Sequence, residues 1–365
     1  SGEQGAVVYA QHHPFRPARY LALERLLGER DLLPEEAVER VSPRAASREE
    51  MLTWHVPGLV DALARADSGA FEPEMLRYGL GGGECPVFPG VFRYAALSAG
   101  GTLRAAEGVA EGRWASAFVP CAGFHHALAD HSEGFCYIND VVLAARALAD
   151  RGLRVTVLDL DAHHGNGTQE AFYDDDRVLT ISFHESGETL YPWGGFETEL
   201  GRGRGEGWNV NVPLLAGTDS DALLWAFSEL VPPLLERAHP DVILLVMGGD
   251  ILAGDPLTHL RCTNQVARPV VEAVKALCPR IVMMGSGGYH EEATVRYWTL
   301  AWAALIGRNL ENPFEGLVGG VFLGASDLMG GDLLDMKVYA QGEEKARIWD
   351  HLQRVVCNLQ DALDL

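Results

Sequence analysis

The chain predicts an α/β fold: a single domain with a central, mainly parallel β-sheet flanked by helices on both faces. Three observations support this. Four short apolar runs, Trp114-Ala-Ser-Ala-Phe-Val119, Leu153-Arg-Val-Thr-Val-Leu158, Asp241-Val-Ile-Leu-Leu-Val-Met247 and Pro279-Arg-Ile-Val-Met-Met284, are bounded by turn residues and read as buried strands. Helical patterns alternate with them, as a parallel sheet covered on both faces requires. No low-complexity stretch, linker or internal repeat divides residues 1–365.

In chain order, helices are expected over residues 18–28, 47–64, 95–109, 139–151, 219–238, 263–276 and 290–304. The tail from Glu343 to Leu363 reads as an amphipathic helix with Ile348, Leu352, Val355, Val356 and Leu359 on one side. It is expected to pack on its own domain; a homo-oligomer contact is the minority reading. Three segments read as functional loops: the glycine-rich 78–86, the long 185–195 and the flexible 201–207.

A length of 365 residues with 47% hydrophobic residues is enough for a sizeable packed core. No run is apolar enough to cross a bilayer, and the first residues lack a basic and apolar leader pattern, so the expected localisation is cytoplasmic and no membrane partner is expected. The six cysteines lack metal-type spacing and read as free, mostly buried thiols. A formal charge of −22 argues against nucleic acid as a partner and is compatible with a cationic substrate.

Each predicted strand leads into a chemically suggestive stretch: Cys121-Ala-Gly-Phe-His-His126, Asp159-Leu-Asp-Ala-His-His-Gly-Asn166, Gly248-Gly-Asp250 and Gly285-Ser-Gly-Gly-Tyr289. Loops beyond the carboxyl ends of parallel strands converge on one crevice. Asp161 and His163, two apart at a strand end, point to one side, and Asp250 adds a second carboxylate. Three such ligands with an open position describe a catalytic metal site, suited to zinc and also to iron(II), cobalt or manganese. The adjacent imidazoles of His125 and His126 can divide proton transfer and electrostatic support, with Asp159 and Asn166 as candidate partners. Tyr289, following a glycine run, can donate to a developing oxyanion. Alone, a D-x-H pair satisfies turn hydrogen bonds, a histidine pair caps a loop and a tyrosine packs. The ensemble carries the reading.

Taken together, these residues resemble the zinc-dependent histone deacetylase family of the arginase-deacetylase superfamily, especially its bacterial acetoin-utilisation-type members. The likeness covers about residues 12–310, with 311–365 as a C-terminal extension packing on the domain. It is densest in Gly123-Phe-His-His-Ala127, Gly134-Phe-Cys-Tyr-Ile-Asn-Asp140, 159–167 and Gly254-Asp-Pro-Leu257. The resemblance implies the arginase-deacetylase fold and hydrolysis of an N-acyl-lysine-like amide in a protein or peptide, with other short acyl groups open. Asp161, His163 and Asp250 would hold zinc, His125 and His126 would form the acid/base pair, and Tyr289 would polarise the acyl carbonyl. A structural potassium ion would use Asp159, Asp161, His163, Ser182 and Phe183. Gly134, Phe135, Tyr191 and Leu257 would contact substrate, with Glu84 and Trp193 at the rim, and Arg19 would line an internal product channel.

The chain departs from the family pattern at four places. Asn166 stands where many members have Asp, giving His126 a neutral partner. Tyr191 replaces the usual tunnel Phe, Glu84 the rim Asp, and Pro192-Trp-Gly-Gly195 the usual Pro-Gly-Thr-Gly. An acetylpolyamine or other small-amine deacetylase is the alternative reading. A non-catalytic ligand-binding scaffold is the third.

Overall fold

The computed structural model describes residues 2–310 and 333–365. Six strands, β1 (Ser116–Val119), β2 (Val155–Asp159), β3 (Val178–Glu185), β4 (Asn209–Leu214), β5 (Val242–Val246) and β6 (Ile281–Met284), form one sheet in the order β1-β6-β5-β2-β3-β4. Every pairing is parallel. Alternate residues of the central strands serve opposite faces, as the period of two demands. Val242, Leu244 and Val246 join one apolar cluster with Val141, Ala145 and Leu148 of the helix Asp140–Ala149. Ile243 and Leu245 join the other, with Leu230 and Leu234 of the helix Ser220–Ala238 and Val270 and Val274 of the helix Ala267–Leu277. Helices therefore cover both faces, as predicted.

β3 and β4 were not among the predicted runs. Thr180, Ser182 and His184 interrupt the apolar pattern of β3, and Asn209 and Asn211 interrupt β4; all five side chains are nonetheless buried. Their polar atoms are met inside the fold, Asn209 and Asn211 each donating to the Gln169 side chain at 2.8 and 2.7 Å. A single helix over 47–64 is also incorrect. The chain forms Arg48–Met51 and then Pro57–Ala66. Pro57 lacks an N–H and drives Val56 into an extended conformation (ψ 149°), so the first helix cannot continue into the second.

The terminal helix Gly342–Leu363 buries Ile348, Leu352, Val355, Val356 and Leu359, packing against Ser220–Ala238 and β4. The stretch 311–332 of the expected C-terminal extension lies outside the described residues. All six cysteines are free, and Cys357 is the exposed one. No helix among the described residues is long and apolar enough to cross a membrane.

His55, in the break between the two N-terminal helices, ties this region to the site. Its Nδ1–H donates to the Leu128 carbonyl and its Nε2 accepts the Asn139 N–H, both at 3.0 Å. Burial pushes its pKa down to about 4. The unfolded histidine titrates near 6.5, so the unfolded chain binds more protons between these values, and stability should fall by about 3 kcal/mol as pH drops through that window. His55→Gln should lose less stability than the wild type between pH 7 and 4.5 in urea unfolding. Equal losses would rule His55 out as the source.

Candidate active site

The strand order reverses between β2 and β5: the chain runs from β2 outward through β3 and β4, then returns to the other side of β2. A crevice forms at such a switch point, outside the carboxyl ends of the strands. Asp161 and His163 follow β2, and Asp250 follows β5. The three are buried, and their ligating atoms lie within 4.8 Å of one another. His163 Nδ1 stands 3.0 Å from Asp250 Oδ2 and 3.3 Å from Asp161 Oδ1. Backbone N–H groups aim the carboxylates: Gly287 donates to Asp161 at 2.8 Å, and Ala162 donates to Asp250 at 3.0 Å.

This donor set fits a divalent cation. Burial, and then the like charge of Asp161, push the Asp250 carboxyl up to about 7. Burial opposes protonation of His163, but the two carboxylates outweigh it and raise His163 to about 10. The field that draws a proton here is the field a metal ion would meet. Gly287 lets the neighbouring loop close against the ligands, since a Cβ there would fall 2.1 Å from Asp250 Oδ2. Asp159 and Ser182 are register partners on β2 and β3, with Phe183 next along β3, which places three of the five expected potassium-site residues side by side. Asp159 Oδ1 accepts the Asp161 N–H at 3.0 Å, linking that group to the metal ligands.

The histidine pair lies on the loop after β1, which is held from the other side by the N-terminus of Asp140–Ala149. Asn139 caps that helix through Val142 N–H, while its amide donates to the His125 and Ala127 carbonyls at 3.0 and 3.1 Å. Asp140 accepts the N–H groups of Phe124 and Gly123 at 2.7 and 3.2 Å. Each imidazole has a distinct partner. His125 Nδ1 is 2.6 Å from Asp159 Oδ2, His126 Nδ1 is 2.8 Å from Asn166 Oδ1, and the two Nε2 atoms are 3.2 Å apart. Burial disfavours a charge on His125, but the Asp159 and Asp161 carboxylates prevail and raise it to about 9. For His126, burial and the neighbouring His125 act together and hold it well below the usual histidine range. The partners thus push the two imidazoles in opposite directions, His125 up and His126 down.

Tyr289 is half-buried, its ring at 5.7 Å from Phe135 and 6.3 Å from His163. Burial and the charges of Asp250 and Asp161 hold its pKa well above the ordinary phenol value, so it keeps its proton. Asp255 pins its backbone, accepting the Tyr289 N–H at 2.7 Å and the His290 N–H at 3.3 Å. Arg19 is buried beneath the same loop, donating to the carbonyls of Gly288 at 2.6 Å and of Ser286, with Phe15 and Trp298 against its guanidinium.

A narrow cleft joins His125, His126, Gly134, Phe135, Asp161 and Tyr289. Gly134 adopts φ +54° against the His126 ring, where a Cβ would come within 2.3 Å. Tyr191 packs on His126, with ring centroids 5.3 Å apart. The rim residues are less uniform. Glu84 reaches inward and accepts the Gly134 N–H at 3.0 Å, whereas Trp193 projects outward with 64% of its surface exposed. Leu257 is half-buried in the turn closed by Asp255 and does not line the cleft. Of the larger cavities, two of 590 and 570 Å³ lie beside the edge strand β1, lined by Val38, Phe118, Pro120 and Trp302, away from the histidine pair, and one of 850 Å³ lies between Pro213 and the terminal helix. Among the described residues, the two beside β1 hold no comparable set of acid, base and metal donors.

Sequence reasoning missed Asp140, Asp255 and Glu133, the last accepting from Asn166 Nδ2 at 2.5 Å. Asp140 and Asp255 lie in the motif stretches 134–140 and 254–257, but nothing local distinguishes an acid that anchors a loop from one that faces solvent.

A model of the histone deacetylase domain matches residues 13–305. The acetoin utilization protein AcuC of Staphylococcus aureus (strain MRSA252) is 36% identical over 315 residues, covering 84% of this chain and 80% of that protein. Histone deacetylase clr6 of Schizosaccharomyces pombe is 33% identical over 306 residues, covering 83% of this chain and 75% of that protein. Among solved structures, an HDAC homolog complexed with SAHA superposes with a TM-score of 0.84 at 32% identity, covering 98% of both chains. An HDAC homolog from Aquifex aeolicus gives the same TM-score at 30% identity, again with 98% of both chains covered. The fold and the family match define a deacetylase-type hydrolase, with a buried Asp-His-Asp donor set that could hold a metal ion. The chain belongs to the histone deacetylase family.

Proposed function

We propose that the protein hydrolyses N-acyl-lysine side chains in proteins or peptides, using zinc held by Asp161, His163 and Asp250. The observation that carries this reading is the convergence of those ligands with the split histidine pair and a protonated Tyr289 around one narrow cleft. When bound, zinc supplies Lewis-acid polarisation of the acyl carbonyl and of water. His126 Nε2 takes the proton of the attacking water as its oxygen bonds to the acyl carbon. The His125 imidazolium, held by Asp159, supports the developing negative charge. Tyr289 donates its O–H to the acyl oxygen. The proton held at His126 then passes to the amine nitrogen as the C–N bond breaks, leaving the carboxylic acid and the free amine, between which the second proton of the water is exchanged to give carboxylate and ammonium.

Phe135 and Tyr191 are assigned to flank an aliphatic linker; Gly134 and Phe135 line the cleft and Tyr191 packs on His126, which supports that assignment. Glu84 and Trp193 are assigned to the rim, Leu257 to substrate contact and Arg19 to the product channel, on family resemblance. Glu84 accepts the Gly134 N–H through one carboxylate oxygen, which leaves the other to accept from a peptide backbone. A potassium ion is assigned beside Asp159, Asp161, His163, Ser182 and Phe183. The register pairing of Asp159 with Ser182 supports that assignment.

The test is a turnover screen of zinc-loaded protein on acyl-lysine peptides and acetylspermidine. Preferential cleavage of an acyl-lysine peptide is expected. Preference for acetylspermidine would transfer the assignment to small amines, and zinc binding without cleavage of any member would revive the scaffold reading.

A further inference from the structure

We propose that Glu133 is a positioning residue that sets the tautomer of His126 by fixing the amide of Asn166. The inference rests on the hydrolase reading above and adds to it a residue outside the metal ligands and the histidine pair.

The contacts form a short chain. The Glu133 carboxylate accepts from Asn166 Nδ2 at 2.5 Å, and Asn166 Oδ1 meets His126 Nδ1 at 2.8 Å. A carboxamide is nearly symmetric in shape, and its two orientations differ by 180°. One presents a carbonyl oxygen to the histidine, and the other presents an NH2 group. An ionised carboxylate can only accept hydrogen bonds, so with Glu133 behind it only the NH2 can point away from His126. Asn166 Oδ1 is then committed to His126, whose Nδ1 must carry the hydrogen, leaving Nε2, 3.2 Å from His125 Nε2, as the unprotonated nitrogen. An aspartate at 166 would need no such support, because both of its oxygens accept. With asparagine in that place, the acceptor role depends on a second residue, and the negative charge sits one side chain further from the imidazole.

The surroundings hold Glu133 in register. The Cys136 N–H donates to the Glu133 carbonyl at 2.8 Å, closing a tight turn, and the next residue, Gly134, lies against the His126 ring. The same carboxylate bears on Tyr191, whose phenol is raised above its ordinary pKa by burial and then by Glu133. Two departures from the family pattern, Asn166 and Tyr191, thus feel the same carboxylate, Asn166 through a hydrogen bond and Tyr191 through its charge.

The test compares the wild type, Glu133→Gln, and Glu133→Gln combined with Asn166→Asp. A glutamine at position 133 can face Asn166 with either end of its amide, so the orientation is no longer selected. In Glu133→Gln, kcat should fall by about tenfold to a hundredfold with KM little changed. Adding Asn166→Asp to that background supplies an acceptor for His126 and a second one for the new side-chain NH2 at position 133, and should restore kcat to within a few-fold of wild type. A role in packing alone predicts no such rescue. Ring nitrogen NMR on ¹⁵N-histidine protein should show His126 as the Nδ1–H tautomer in the wild type and the double variant, and a mixture in Glu133→Gln. Thermal midpoints confirm that each variant is folded. Wild-type kcat and tautomer in Glu133→Gln, or a double variant no better than it, would overturn the proposal. If the wild type cleaves no acyl amide, the hydrolase reading fails, and the tautomer measurement still decides the role of Glu133.

Discussion

Replacing Tyr289 with Phe is expected to lower kcat by about 10²–10³-fold, the usual cost of removing one donor from a developing oxyanion. KM and the affinity for a hydroxamate should change little. The substitution removes only the hydroxyl. The ring contacts to Phe135 and His163 remain, and the loop keeps its anchor because the Tyr289 N–H donates to Asp255 through the backbone. Burial and the nearby carboxylates keep the phenol protonated well above its ordinary range, so raising the pH within an assay window should not mimic the loss. Steady-state kinetics with one acyl-lysine peptide provide the measurement. A variant with full turnover would leave Tyr289 with packing alone.

Replacing Asp250 with Ala should have the larger effect. Asp250 supplies one of two carboxylates to the triad and also accepts the Ala162 N–H, so its removal takes a ligand and loosens the turn carrying the other two. Losing several kcal/mol of charge stabilisation corresponds to a fall in activity of about 10³-fold or more. The variant should retain well under one equivalent of zinc after dialysis. It should also lose the rise in thermal midpoint that zinc confers on the wild type, since only a native state that binds the ion is stabilised by it. Elemental analysis showing a full equivalent of zinc would refute this ligand set.

Much of the fold was legible because α/β proteins write their central strands as uninterrupted apolar runs. β5 and β6 carry that signature, and β2 and the half-buried edge strand β1 carry it with Thr156 and Ser116 as interruptions. β3 and β4 hide theirs behind Thr180, Ser182, His184, Asn209 and Asn211, residues that are tolerated in the interior because Gln169 and other distant groups satisfy them. The helix expected over 47–64 contained a local warning at Pro57, but amphipathic spacing continued across it and masked the break.

The same division runs through the site. The chain alone determined which chemistry is available: two carboxylates and an imidazole at strand ends, two adjacent histidines and a tyrosine after a glycine run, each readable because strand termini and short spacings are local properties. The tertiary structure supplied the contacts themselves, including one, Glu133 to Asn166, that the sequence did not indicate. Asp159 holds His125 across 34 positions, Asn166 holds His126 across 40, and Glu133 holds Asn166 across 33. Such partnerships depend on strand order and loop closure, which no local periodicity encodes. They set charge and tautomer in the cleft, so the identity of the reacting groups is a property of the sequence, while their protonation is a property of the fold.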